Sequence, residues 1–273
     1  MGEFYQPESR RGPYLKQYAS VFNTVEGNST FYGLPSHETI ESWIDQTPPT
    51  FKFCFKLPKG ITHIKKLRNA EPELKTFFNR LEPLGKRLGP FMIQLPASFS
   101  PDDTYLLNQF IQQLPRRFLY SVEVRHHAFY DQGRNERQLN QLLRTYKIDR
   151  VIFDTRKLHS VNKENEQWKA IQQRKPHLPV RFETTGRHPI IRYVGVNDTL
   201  NNEPYLKEWA IIIADWIKDG LHPYVFIHTP DEFYAPENAR QFHQSFSELM
   251  ETKPLPRWPA EFPPGDSSQL TLF

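Results

Sequence analysis

Apolar and polar positions along this chain switch between two periods. Phe51-Lys52-Phe53-Cys54-Phe55-Lys56 alternates as a strand does, and Leu74, Phe77, Phe78, Leu81, Leu84 and Leu88 then recur at the spacing of a helix face. The exchange repeats. It predicts strands at residues 23–26, 51–57, 91–95, 119–124, 150–153, 190–196 and 223–228. Helices are predicted between them. One runs from a cap at Ser36 through Ile40, Trp43 and Ile44, and others cover 72–88, 164–174, 206–217 and 236–250. Two more are marked by Leu106, Leu107, Phe110 and Leu114 and by Leu139, Leu142, Leu143 and Tyr146.

Strands that alternate with helices imply an α/β fold with a parallel sheet. No G-x-G-x-x-G is present, so a closed TIM-type (β/α)8 barrel over residues 1–252 is expected ahead of an open dinucleotide-binding sheet. Residues 253–273 read as a separate Pro-rich flexible tail, with Pro254, Pro256, Pro259, Pro263 and Pro264 before Gly265-Asp266-Ser267-Ser268.

Composition narrows the class. Apolar residues make up 38% of the chain and charged residues 24%, enough for a sizeable core. The one cysteine, Cys54, excludes a disulfide within the chain and a cysteine zinc cluster, and its apolar neighbours make it a small buried hydrophobe. There is no apolar run of membrane-spanning length and no signal pattern at Met1-Gly2-Glu3-Phe4, so a cytoplasmic protein is expected. The net charge of +4 is spread over scattered basic pairs interleaved with acids, which read as solvated faces.

Chemistry in a parallel α/β barrel gathers where strands end. The strand exits here are polar: Glu26-Gly27-Asn28-Ser29-Thr30-Phe31-Tyr32, Lys56, Thr62-His63, Gln94-Leu95-Pro96, Glu123-Val124-Arg125-His126, Asp154, Arg192 and His228-Thr229. Strand alternation puts Glu123 and Arg125 on one face, where they must pair or meet a ligand, because an unpaired buried charge is costly. These segments, taken together, resemble the YecE-like proteins, the family called domain of unknown function 72, from the first residues to about His228. The resemblance implies a TIM-type barrel and carries no reaction, substrate or cofactor. Family members begin with a strand leading into a Gly-x-x-x-Trp segment, whereas Met1-Gly2-Glu3-Phe4-Tyr5 looks like the loop after it. The expected barrel therefore lacks its first strand because the chain starts late.

Three functional readings follow. The first is a hydrolase or lyase acting on an anionic or phosphorylated small molecule. Glu26, Lys56, Glu123 and Asp154 are then the catalytic candidates, and Asn28, Thr30, Tyr32, His63, Gln94, Arg125, Arg192 and His228 line the substrate. The second is a metal site drawn from His63, His126, His228, Glu26, Glu123 and Asp154, although these lie on separate strands and no spacing motif supports it. The third concerns Gln269-Leu270-Thr271-Leu272-Phe273, which resembles the bacterial sliding-clamp-binding peptide. Leu270, Leu272 and Phe273 would be its apolar residues and Gln269 its hydrogen-bonding one, and docking would place the protein in DNA replication or repair, with a nuclease-like activity as one form of it. Packing of that peptide on its own barrel is the competing expectation. The sequence assigns no cofactor.

Overall fold

Phe51, Phe53 and Phe55 share one face of a strand, and that face packs on the helix His37–Gln46, where the Trp43 ring stacks on Phe53 and Phe55 at 5.6 and 5.3 Å. This is the expected exchange of strand and helix, and it recurs in the computed structural model, which describes residues 4–6, 14–161 and 166–262. The described strands are β1 (Thr24–Gly27), β2 (Lys52–Phe55), β3 (Phe91–Gln94), β4 (Tyr120–Glu123), β5 (Asp149–Arg150), β6 (Ile152–Asp154), β7 (Ile190–Val194) and β8 (Tyr224–His228). The helices are α1 (Tyr14–Ala19), α2 (Ser29–Tyr32), α3 (His37–Gln46), α4 (Glu71–Leu81), α5 (Thr104–Gln113), α6 (Arg134–Tyr146), α7 (Arg156–Ser160), α8 (Glu166–Arg174), α9 (Thr199–Lys218) and α10 (Ala235–Ser247). None is long and apolar enough to cross a membrane, among the described residues.

Local chemistry sets the boundaries. Ser36 caps α3, its Oγ accepting from the Thr39 N–H at 3.2 Å, as expected. The helix predicted to reach residue 88 stops at Leu81: Pro83 follows, and Gly85 turns left-handed at φ +53°, so residues 82–87 wind as tight turns. Helix α9 begins earlier than its apolar stripe, because the Asp198 carboxylate caps it through the Leu200 N–H at 3.0 Å.

The expected TIM-type (β/α)8 barrel short of its first strand is not the architecture. The strands form three short parallel sheets, β1-β2, β3-β4-β5 and β6-β7-β8. The ladders stop for identifiable reasons. Between β2 and β3 only two isolated bridges form, Phe53 with Leu88 and Lys56 with Met92, and Pro90 between them has no N–H to donate. The strand predicted over 150–153 breaks at Val151. Its N–H still bonds to Val122 of β4 at 2.9 Å, but from Ile152 onward the chain pairs with β7. No ladder joins β8 to β1 among the described residues.

Apolar burial divides accordingly. One large cluster joins β2, β3 and β4 to α3, α4, α5 and α6, and a second joins β6 and β7 to α9. A third, of Cys54, Met92, Val151, Ile190 and Phe226, draws one residue or two from every sheet and so packs the strands' inner faces together. Residues 255–262 also lie on this body: the Trp258 ring packs on Phe4 and Phe22, and the Arg240 guanidinium sits 3.7 Å above it.

One strand begins on a buried acid. Asp149, only 2% exposed, opens β5, and its carboxylate accepts from the His188 N–H at 3.1 Å and from the Gly186 N–H. A Cβ at Gly186 would lie 2.6 Å from the Asp149 Oδ1, so only glycine lets the backbone come this close. Burial pushes the Asp149 carboxyl up to about 7, against the two N–H donors that lower it.

Candidate functional site

Four inner apolar residues predict where polar groups emerge. Two positions beyond Cys54, Met92, Ile190 and Phe226, on the same strand faces, stand Lys56, Gln94, Arg192 and His228. Glu26 is the last residue but one of β1, beside them, and Glu123 ends β4. A glycine must follow Glu26, because a Cβ at Gly27 would lie 2.3 Å from the Phe55 ring.

These groups meet. Arg192 donates from Nε and Nη2 to the two oxygens of Glu26 at 2.6 and 2.9 Å, and from Nη1 to Glu123 at 2.7 Å. Lys56 Nζ reaches Glu26 at 2.9 Å, and Arg125 Nε donates to Glu123 at 2.6 Å. His228 Nε2 lies 3.4 Å from Glu26, and its Nδ1 lies 3.3 Å from Glu232. The Arg192 guanidinium also stacks 5.1 Å over Phe153, and Arg125 5.9 Å over the same ring. The cluster therefore ties β1, β4, β7 and β8, members of all three sheets, through side chains rather than ladders.

Its electrostatics are lopsided. Three basic side chains, Lys56, Arg125 and Arg192, face two carboxylates, Glu26 and Glu123. Burial raises the Glu123 carboxyl, but Arg125, Arg192 and Lys56 outweigh it and hold it at about 2. Glu26 is likewise held well below the usual range: burial opposes, while Arg192, His228 and Lys56 prevail. Burial and the neighbouring Arg192 lower the Lys56 ammonium. His228 is raised, its contacts with Glu232 and Glu26 overcoming burial. Arg125 spends only its Nε on Glu123, and its two terminal nitrogens have no hydrogen-bond partner among the described residues.

The other sequence candidates differ in where they stand. Gln94 pairs in register with Glu123, is 6% exposed, and its amide has no hydrogen bond among the described residues. His63 stands at the edge, bonded to Thr62 Oγ1 at 2.9 Å and set edge-on to Phe31. Burial lowers it, as do Arg125 and Lys59. Thr30 is a positioning residue, its hydroxyl donating to the Lys56 carbonyl at 2.8 Å, while Asn28 and Tyr32 are exposed, Tyr32 at 81%. Asp154 does not join the cluster. It shares the outer face of its strand with Ile152 and binds the Trp209 Nε1–H at 2.8 Å and Arg156 at 2.9 Å. Its catalytic candidacy rested on strand position alone.

No group of three or more His, Cys, Asp or Glu is placed to hold a metal among the described residues, and His126 instead caps the turn at Ala128. Cys54, buried beneath the cluster, has its thiol pushed up to about 12 by burial and is not a nucleophile there. A groove of about 510 Å³ between α10 and Pro254–Arg257 shares no residue with the cluster. Gln269, Leu270, Leu272 and Phe273 lie outside the described residues.

Sequence reasoning missed Lys175, which it read as half of a solvated basic pair. Thr155, just beyond β6, donates to the Pro176 carbonyl at 2.9 Å and so fixes this stretch over the end of β6. Lys175 is half-buried, and its ammonium interacts electrostatically with Arg192, Glu232, Glu26 and Arg125. No local pattern could have found it, because it arrives from the connection after α8.

The model of the family described as "Protein of unknown function DUF72" matches residues 1–261. UPF0759 protein YecE of Escherichia coli strain K12 is 38% identical over 240 residues, covering 88% of this chain and 87% of that protein. Among solved structures, a DUF72 family protein from Enterococcus faecalis V583 superposes with a TM-score of 0.68 at 18% identity, over 89% of this chain and 91% of that one. One from Thermotoga maritima MSB8 gives 0.67 at 24%, over 89% and 94%. At those identities the structures speak for the fold alone.

Proposed function

This chain belongs to the DUF72 family, and on that footing we propose that it binds and turns over an anionic small molecule at the Glu26–Lys56–Glu123–Arg125–Arg192 cluster. The observation that carries this reading is the surplus of basic side chains over carboxylates, together with the donors of Arg125 and the amide of Gln94 that have no hydrogen bond among the described residues. A network built only to lock strands would balance its charges and satisfy its amide. The chemistry that fits is of the hydrolase or lyase kind. Glu26 and Glu123 stay ionised at neutral pH and hold the cations in place. His228, raised, is the group suited to move a proton, while Lys56 stays paired with Glu26.

A thermal-shift screen with phosphorylated and carboxylated metabolites tests it. A true ligand at a hundredfold excess over its Kd stabilises by about 2.7 kcal/mol. Arg125→Gln should abolish that response; its own unliganded midpoint, lowered by loss of the Glu123 pair, is the baseline against which the response is read. If no anion of either class raises the midpoint, the reading fails.

A second reading rests on Gln269-Leu270-Thr271-Leu272-Phe273, which lies past the last residue matched by the family model and so is set apart from what the family shares. In that reading the peptide docks in the hydrophobic cleft of a bacterial sliding clamp and brings the body to DNA during replication or repair. Purified clamp should be retained by the full chain and lost with Leu272→Ala/Phe273→Ala. Equal retention by both would end it.

A further inference from the structure

Charge bookkeeping around the cluster goes one step further, and it rests on the anion-binding reading above. Lys56, Arg125 and Arg192 exceed Glu26 and Glu123 by one positive charge. His228 faces Glu232 at 3.3 Å and Glu26 at 3.4 Å, contacts that favour its protonated form, and a protonated His228 offsets Glu232. Lys175 adds a second. It is held over the end of β6 by the Thr155–Pro176 hydrogen bond, between the strands that carry Arg125 and Arg192, and no carboxylate lies within ion-pair distance of it among the described residues. Two cations in excess, beside a buried Gln94 whose amide has no hydrogen bond among the described residues, match a doubly charged ligand with several acceptor oxygens better than a monocarboxylate.

We propose that the site takes a dianion, a phosphoryl group or a free tetrahedral anion, and that Lys175 is the binding residue that selects the second charge. Lys56, Arg125 and Arg192 are already engaged with carboxylates and suffice for one negative charge. Lys175 makes no ion pair with a carboxylate among the described residues and is therefore the cation whose removal should separate dianion from monoanion binding.

The experiment is calorimetric titration of the full chain at fixed ionic strength near about pH 8, where phosphate is mainly doubly charged. The probes are inorganic phosphate, phenyl phosphate and formate. Wild type should bind both phosphates more tightly than formate. Lys175→Met should weaken both phosphates about tenfold and leave formate unchanged, and Lys175→Gln should repeat the result in case methionine perturbs the local chain. Phenyl phosphate binding more tightly than inorganic phosphate assigns the dianion to an organic ester, and the reverse order assigns it to the free ion. Unchanged phosphate affinity in both variants, or an equal loss for formate, overturns the inference. If formate and phosphate bind wild type alike and Arg125→Gln weakens both, the anion site stands and the dianion assignment falls. If no probe binds wild type, both fall.

Discussion

Replacing Arg192 by methionine is expected to destabilise the fold by about 3–5 kcal/mol at neutral pH, seen as a lower urea midpoint with little change in slope. The reason lies in what remains. Arg192 makes three hydrogen bonds to two carboxylates that are 3% and 1% exposed, and methionine fills its volume without meeting either charge. Glu26 would keep Lys56 and His228, and Glu123 would keep Arg125, which places the cost inside this range rather than beyond it. Adding Glu26→Gln and Glu123→Gln to the variant should recover part of the loss, because the uncompensated charge disappears with them. The pH dependence has a definite sign. Both carboxyls are depressed in the folded state, so their stabilisation is present above the unfolded value of 4.5 and fades as pH falls toward about 2. The gap between wild type and Arg192→Met should therefore narrow on acidification. A variant within about 1 kcal/mol of wild type at neutral pH would show that the cluster's pairs contribute little net energy.

Asp149→Asn should act in the opposite pH direction. The Asp149 carboxyl is raised from 3.8 to about 7, so the folded protein holds its proton more tightly than the unfolded chain does. That stabilisation is complete below 3.8 and is lost as pH rises through about 7. Wild type should thus lose on the order of 2–4 kcal/mol between about pH 5 and pH 8 at this one group, and the asparagine variant should not. Asparagine keeps an oxygen for the His188 and Gly186 N–H groups and never ionises. The nearby His188 ring, lowered by burial, His222 and Arg187, titrates in both proteins and cancels in the difference. Denaturation midpoints of the two proteins across that range decide it. Parallel curves would mean that the buried carboxylate is solvated in a way its surroundings do not suggest.

Alternation along single strands made much of the site readable. Parity alone put Glu123 with Arg125 and Lys56 with Cys54, and both pairings hold. Parity misled where the strand itself was misread. Asp154 stands at a strand end, but Val151 and Phe153 face inward, so Asp154 follows Ile152 and Arg150 to the outer face. Arg150 is buried there against Glu136 and Asn140, an ion pair under α6 that no local pattern announced. The barrel expectation failed for a related reason. Strand count and helix alternation do not register whether neighbouring ladders join, and the joins here depend on single residues such as Pro90 and Val151. Lys175 was out of reach because its position depends on one side-chain hydrogen bond from Thr155 across the fold.

The break at Val151 bears on how this molecule comes apart. The chain passes from the middle sheet to the last one in a single residue, with no loop to absorb slack. Fraying of either sheet at that point must tug directly on the backbone of its neighbour. Opening events that would be separate in sheets linked by long connections are therefore mechanically shared here, and the two are bound to melt as one cooperative unit.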